Sequence, residues 1–184
     1  MALIPAVVDQ VGDTPVIAAG GIADGRGLAA ALALGASAGW LGTRFLASEE
    51  ATIHKEYQKR VLTSSENDTV YLDNLFDGGW PEAPHRVIRN STVDTWEKAG
   101  CPSPGMRPRE GEVEARSQSG GDILRYACVS PRQNTSGDIE ALAMWAGQTA
   151  GTVRRVQPAA KIVREIMEET MRVISNLPTK IQLP

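Results

Sequence analysis

Pro15-Val16-Ile17-Ala18-Ala19-Gly20-Gly21-Ile22-Ala23-Asp24-Gly25-Arg26-Gly27-Leu28 is the stretch on which the fold turns. Val16 to Ala19 is an apolar run too short for a helix and closed by two glycines, which fits a buried strand of a parallel sheet. Asp24 then offers a capping carboxylate for a helix predicted from about Gly25 to Leu34, rich in Ala and Leu, with Gly35 as its stop signal. Strand, glycine loop and helix make one β/α unit. Upstream, Leu3 to Val11 reads as an amphipathic helix, followed by a turn at Asp13-Thr14-Pro15. Downstream, Gly39-Trp40-Leu41-Gly42-Thr43-Arg44-Phe45-Leu46 repeats the pattern of an apolar strand beside a Gly-Thr pair. Ser48-Glu49-Glu50 is then expected to open another helix with acidic residues at its positive end. Two consecutive units of this kind imply an α/β fold with parallel strands and right-handed crossovers.

The glycines carry the chemical content. At the carboxyl end of a parallel strand a residue without Cβ lets peptide N–H groups come close to an anion, and a following helix adds the partial positive charge of its N-terminus. Gly20-Gly21 and Gly42-Thr43 are therefore read as a pair of loops forming a phosphate cup. The alternative is that these glycines only permit tight turns.

Composition narrows the classes. The 184 residues suit one domain or slightly more, and 42% hydrophobic with 22% charged residues is enough to build a core. Nineteen Lys+Arg against 22 Asp+Glu give a net charge of −3, so no basic excess argues for nucleic-acid or anionic-membrane binding. Cys101 and Cys128 lack CxxC spacing and cannot make a disulfide scaffold or an all-cysteine zinc site, which points to a reduced, cytoplasmic setting. The first ten residues have no basic region, and Asp9 interrupts their apolar run well short of a signal-peptide or membrane-spanning length. An amphipathic helix at the very start leads to the expectation of a missing upstream partner.

Pro15 to Leu28, Ala31 to Gly35 and Trp40-Leu41-Gly42-Thr43-Arg44-Phe45-Leu46 together closely resemble the nitronate monooxygenase family, formerly 2-nitropropane dioxygenases. Arg86-Val87-Ile88-Arg89-Asn90, Gly137-Asp138-Ile139-Glu140-Ala141 and Ala146-Gly147-Gln148 extend the resemblance, which is weakest from Thr63 to Pro84 and from Glu97 to Pro131. It implies an FMN-binding (β/α)8 TIM barrel, of which a complete copy needs roughly 250 residues. Val16 to Gly21 would be the seventh strand and Trp40 to Leu46 the eighth, so residues 1–184 would form the C-terminal part of an incomplete barrel. Residues 63–131 would be an excursion within it, and 138–177 the C-terminal helices. The implied cofactor contacts are Gly20, Gly21, Trp40, Leu41, Gly42 and Thr43, with Gln148 close to the flavin; capping of its own helix is the other reading of Gln148. Arg44 would either assist phosphate neutralisation or pair with a neighbouring carboxylate. No metal site is expected. The resemblance implies that the family's proton-abstracting histidine belongs to the absent upstream half; His54 falls on the helix after the last strand and His85 in a Pro-rich loop, and both are read as surface histidines.

Other segments carry no chemistry in this reading. Thr69 to Leu72 and His85 to Arg89 are short strand-like runs that could pair, Trp80 and Trp96 are packing residues, and Glu110 to Gly121 is the segment expected to be mobile. Asp138 is expected to cap a helix burying Ile139, Leu142, Ala143 and Ala146, and a last helix should begin at Pro158. The resemblance implies FMN-dependent oxidation of alkyl nitronates with molecular oxygen. Its competitors are an enoyl-(acyl carrier protein) or quinone reductase of the same barrel group, and a non-catalytic fragment that acts only by association with a missing half-barrel or with itself.

Overall fold

The computed structural model describes residues 2–178. They fall into two compact units: residues up to Glu50 with those from Arg155 onward, and Ala51–Arg154.

The first unit is α/β. Its elements are α1 (Leu3–Val11), β1 (Ile17–Ala19), α2 (Gly25–Ala33), β2 (Ala38–Trp40), the short α3 (Thr43–Leu46) and, from the far end of the chain, α6 (Ala159–Asn176). β1 and β2 pair in parallel with Ile17 opposite Ala38, Ala18 opposite Gly39 and Ala19 opposite Trp40. Alternation puts Ala18 in the core while Ile17 and Ala19 face outward. α2 starts where the sequence placed its cap, since the Asp24 side chain accepts a hydrogen bond from the Gly27 N–H at 3.0 Å. Ala18, Ile22, Leu28, Ala31 and Ala36 form the core with Ile162 and Ile166 of α6. A fully buried Ile contributes roughly 1.5–3 kcal/mol, so these two anchors fix α6 against a helix far upstream in the chain.

Two expectations fail here for identifiable reasons. The second strand ends at Trp40, and Thr43–Leu46 is a helical turn rather than a continuation of it; the Phe45 N–H donates to the Gly42 carbonyl, and the Phe45 side chain packs against the core from that turn. Ser48-Glu49-Glu50 opens no helix. Ser48 makes a parallel bridge with Gln157, whose carbonyl accepts from the Glu49 N–H at 3.0 Å. The Glu50 carboxylate does cap a helix start, accepting from the Ala159 N–H at 2.8 Å, but that helix is α6.

The second unit contains α4 (Lys55–Thr63), β3 (Thr69–Leu72), β4 (His85–Ile88), α5 (Ser91–Lys98), β5 (Val113–Ser117), β6 (Gly121–Leu124), β7 (Thr135–Gly137) and a 3-10 turn at Gln148–Thr152. β3 and β4 pair antiparallel, from Thr69 opposite Ile88 to Leu72 opposite His85. The other three strands form an antiparallel sheet in the order β6-β5-β7. Leu75, Phe76, Val87, Val93, Trp96, Tyr126 and Ala143 share one core.

Within this unit the segment expected to be mobile, 110–121, contains the central strand β5. One of its charges is internal: Glu114 and Arg125, the latter just past β6, are both nearly fully buried, 2.6 Å apart, while Arg116 stays exposed. The helix expected after Asp138 is absent, although Ile139, Leu142, Ala143 and Ala146 are all buried as that pattern required. The backbone there has better partners than itself, because the carbonyls of Ala141, Leu142 and Met144 accept from Thr92 Oγ1 at 2.7 Å, Asn90 Nδ2 at 2.9 Å and the Ile88 N–H at 2.8 Å. The helical content of 138–177 is thus the 3-10 turn and α6. Trp96 packs as expected, but Trp80 is 66% exposed. His85 lies on β4 rather than in a loop, and His54 is the N-cap of α4, its Nδ1 accepting from the Glu56 N–H at 3.1 Å.

Candidate functional site

The register of β1 and β2 sets Ala19 beside Trp40, so the loops that follow, Gly20-Gly21 and Leu41-Gly42-Thr43, leave the same end of the sheet side by side. Gly20 and Gly21 have φ of +86° and +73°, a conformation that disfavours any side chain. Gly42 differs: its φ of −94° suits any residue, and a Cβ built on it would meet nothing within 4 Å. Other glycines of the unit are held by packing. A Cβ on Gly25 would lie 2.4 Å from the Thr170 nitrogen, and one on Gly39 2.9 Å from Leu28 Cδ1. Gly42 is therefore required neither by backbone strain nor by a neighbour, and open space lies where its side chain would be.

Around this end, Trp40 is 67% exposed while Leu41 and Thr43 are half-buried. The Arg44 guanidinium bonds the side-chain oxygen of Gln157, whose amide nitrogen donates to Glu165 at 3.0 Å. Arg44 thus reaches a carboxylate only through an intervening amide. Burial lowers its pKa from the ordinary value, and its Nη1 is buried with no hydrogen-bond partner among the described residues. Behind the loop, Arg26 donates to Asp24 at 2.9 Å, and the Glu169 carboxylate accepts from the Gly25 N–H at 2.8 Å. Burial raises the Asp24 carboxyl, but the hydrogen bonds from Arg26 and Gly27 outweigh it and hold the group below the usual carboxylate range.

Six of the seven residues singled out, Gly20, Gly21, Trp40, Leu41, Gly42 and Thr43, belong to the first unit. Gln148 belongs to the second, where it is exposed and begins the 3-10 turn; Gly147 occupies the cap position, so Gln148 does not cap a helix end. Sequence reasoning missed the Arg44–Gln157–Glu165 chain and the Glu169 contact to Gly25. Both link positions more than a hundred residues apart, and the only local signal was polar residues on the buried side of α6. Among the described residues no group of His, Cys, Asp and Glu could hold a metal ion, and no helix is long and apolar enough to cross a membrane.

Comparison with known proteins agrees with this arrangement. The chain is 38% identical over 187 residues to the nitronate monooxygenase npaC of Metarhizium robertsii, covering 96% of this chain and 48% of that protein. Its structure is similar to FabK from Thermotoga maritima, with a TM-score of 0.65 and 28% identity, covering 97% of this chain and 51% of that one. It is also similar to nitroalkane oxidase from Streptomyces ansochromogenes, with a TM-score of 0.64 and 27% identity over 96% of this chain and 44% of that one. The chain spans about half the length of the curated relatives it matches. A family model for nitronate monooxygenase matches residues 1–169, and with the paired glycine loops at one end of a parallel sheet this places the chain in the nitronate monooxygenase family.

Proposed function

We propose that this chain supplies the seventh and eighth strands and closing helices of an FMN-binding (β/α)8 barrel, with residues 63–131 an excursion from it. In this reading the full-length protein is a cytoplasmic oxidoreductase that converts alkyl nitronates with molecular oxygen. The family match over residues 1–169 carries the proposal. The fit of the cofactor rests on Gly42, where the missing side chain leaves open space beside a second glycine loop, the arrangement that admits a phosphate to peptide N–H groups.

Gly20, Gly21 and Gly42 would hold the phosphate through the backbone and Thr43 through its hydroxyl, while Trp40 and Leu41 border the cup; Gln148 is the further cofactor contact that membership of the family suggests. FMN, when bound, supplies the redox chemistry, accepting electrons from the substrate and passing them to oxygen. The chain's own part is to bind and orient. No residue here is assigned as the base that takes the substrate proton, and the Nδ1 of His54 is already engaged by the Glu56 N–H. A second reading, an FMN-dependent enoyl-(acyl carrier protein) or quinone reductase of the same barrel group, is supported by the likeness to FabK.

Gly42→Val and Thr43→Ala in the full-length protein test the cup. The local φ admits a side chain and its Cβ meets nothing within 4 Å, so a loss of FMN affinity in a variant that keeps its melting temperature would come from the ligand's side. The Thr43 change should cost about 1.5–3 kcal/mol, a tenfold to hundredfold weaker affinity by flavin fluorescence titration. Wild-type affinity in both variants would remove the phosphate cup.

A further inference from the structure

The turn that begins at Thr43 cannot hold itself in place. α3 is four residues long and starts from Gly42 with no side-chain cap, far below the length at which a helix is stable in water by itself. Its position has to come from what its side chains touch. Phe45 packs against the core of the first unit, and the Arg44 guanidinium donates to Oε1 of Gln157. Consecutive side chains on a helix point about 100° apart, so the Phe45 anchor alone leaves the turn free to rock about it and the Arg44 anchor stops that motion.

Gln157 suits this contact because an amide side chain both accepts and donates. Oε1 takes the hydrogen bond from Arg44, and Nε2 donates to both Glu165 oxygens at 3.0 Å. The flipped amide would set donor against donor and acceptor against acceptor, so one orientation serves. The residue is 4% exposed, and Glu165 is itself held by Arg155 at 3.1 Å. The Gln157 backbone grips the far end of the same segment: its N–H donates to the Ala47 carbonyl at 3.1 Å, and its carbonyl accepts from the Glu49 N–H. Those backbone bonds do not depend on the side chain. What the amide adds is its hold on Arg44, one residue past Thr43.

We propose that Gln157 is a positioning residue for the phosphate cup, holding the Gly42-Thr43 turn in its binding geometry through Arg44. The inference rests on the FMN reading, and every residue in it lies in the first unit.

FMN and riboflavin differ only in the phosphate, so the ratio of their affinities for the full-length protein, from flavin fluorescence titration, reads the cup alone. Gln157→Met, of similar length but without hydrogen-bonding groups, should lower that ratio about three- to tenfold and leave riboflavin affinity within about twofold. Arg44→Met should lower it too, and the double variant should fall no further than the lower single one, because the two residues act through one contact. Ile166→Val trims the buried core on the adjoining helix; it should lower the melting temperature and leave the ratio unchanged. A wild-type ratio in Gln157→Met, losses that multiply in the double variant, or an equal drop in Ile166→Val would each overturn the proposal. Should Gln157→Met fail to fold, Gln157→Asn, which keeps the amide but falls one methylene short, decides it by the same ratio. A wild-type protein that binds both flavins equally would instead remove the cup, and this inference with it.

Discussion

The three glycines at 25, 39 and 42 are chemically identical and do different work. A Cβ at position 25 would meet the Glu169 Cβ at 2.5 Å and two backbone atoms that cannot step aside, the Thr170 nitrogen at 2.4 Å and the Ile166 oxygen at 2.7 Å. Gly25→Ala should therefore destabilise the chain by about 1–3 kcal/mol, the usual cost of overpacking, whereas Gly42→Ala should leave the melting temperature nearly unchanged. Thermal unfolding of the two variants side by side makes the distinction. One residue earlier, Asp24 links stability to pH. Its carboxyl is held below its ordinary value, so its contribution is complete above about pH 4 and is lost as pH falls through the lowered folded-state pKa. Asp24→Ala should cost about 1 kcal/mol at pH 7 through the lost cap. The deficit relative to wild type should shrink below pH 4, as read by urea denaturation at the two pH values; a deficit that stays constant would break the link.

At the scale of elements, α6 depends on an acid borrowed from the other end of its unit's sequence. Glu50 accepts from the Ala159 N–H, so Glu50→Ala should destabilise by about 0.5–2 kcal/mol, and Glu50→Gln by less, in chemical denaturation. Sequence reading recognised that an acid at Glu50 belongs at a positive helix end, but assigned it to the wrong helix because capping motifs are read along the chain. Of the elements that were legible, α1, α2 and α6 close their hydrogen bonds locally, while β1, β3 and β4 showed as short apolar or strand-like runs between turn residues. The failures share one cause. At 138–146 the buried period was correct, yet Asn90 and Thr92 satisfy the carbonyls that a helix would have used. At β5 a charged stretch read as mobile because the partner of Glu114, Arg125, arrives from just beyond the next strand. Of the site, the paired glycine loops were visible locally, whereas the Arg44–Gln157–Glu165 relay joins segments that sequence cannot bring together.

For the molecule as a whole, the described sheet of the first unit has two strands, with Ile17 55% and Trp40 67% exposed on it. Unpaired strand edges flanked by apolar side chains are templates for association. The isolated 184-residue chain is expected to self-associate and to show no oxidation of a simple alkyl nitronate. A monodisperse monomer by light scattering with one cooperative thermal transition would contradict the first expectation, and turnover above the no-enzyme rate in an oxygen electrode the second. The contact between Gly25 and Glu169 spans 144 residues of chain, and that distance becomes a delay during synthesis. A ribosome adding about 5–20 residues per second needs roughly 7–30 s to deliver Glu169 after Gly25 has emerged. Throughout that interval the nascent α2 has no α6 to cover it. The first unit can complete itself only after the whole of the second unit and α6 have been made, and a chaperone that shields its small apolar face has that window in which to act.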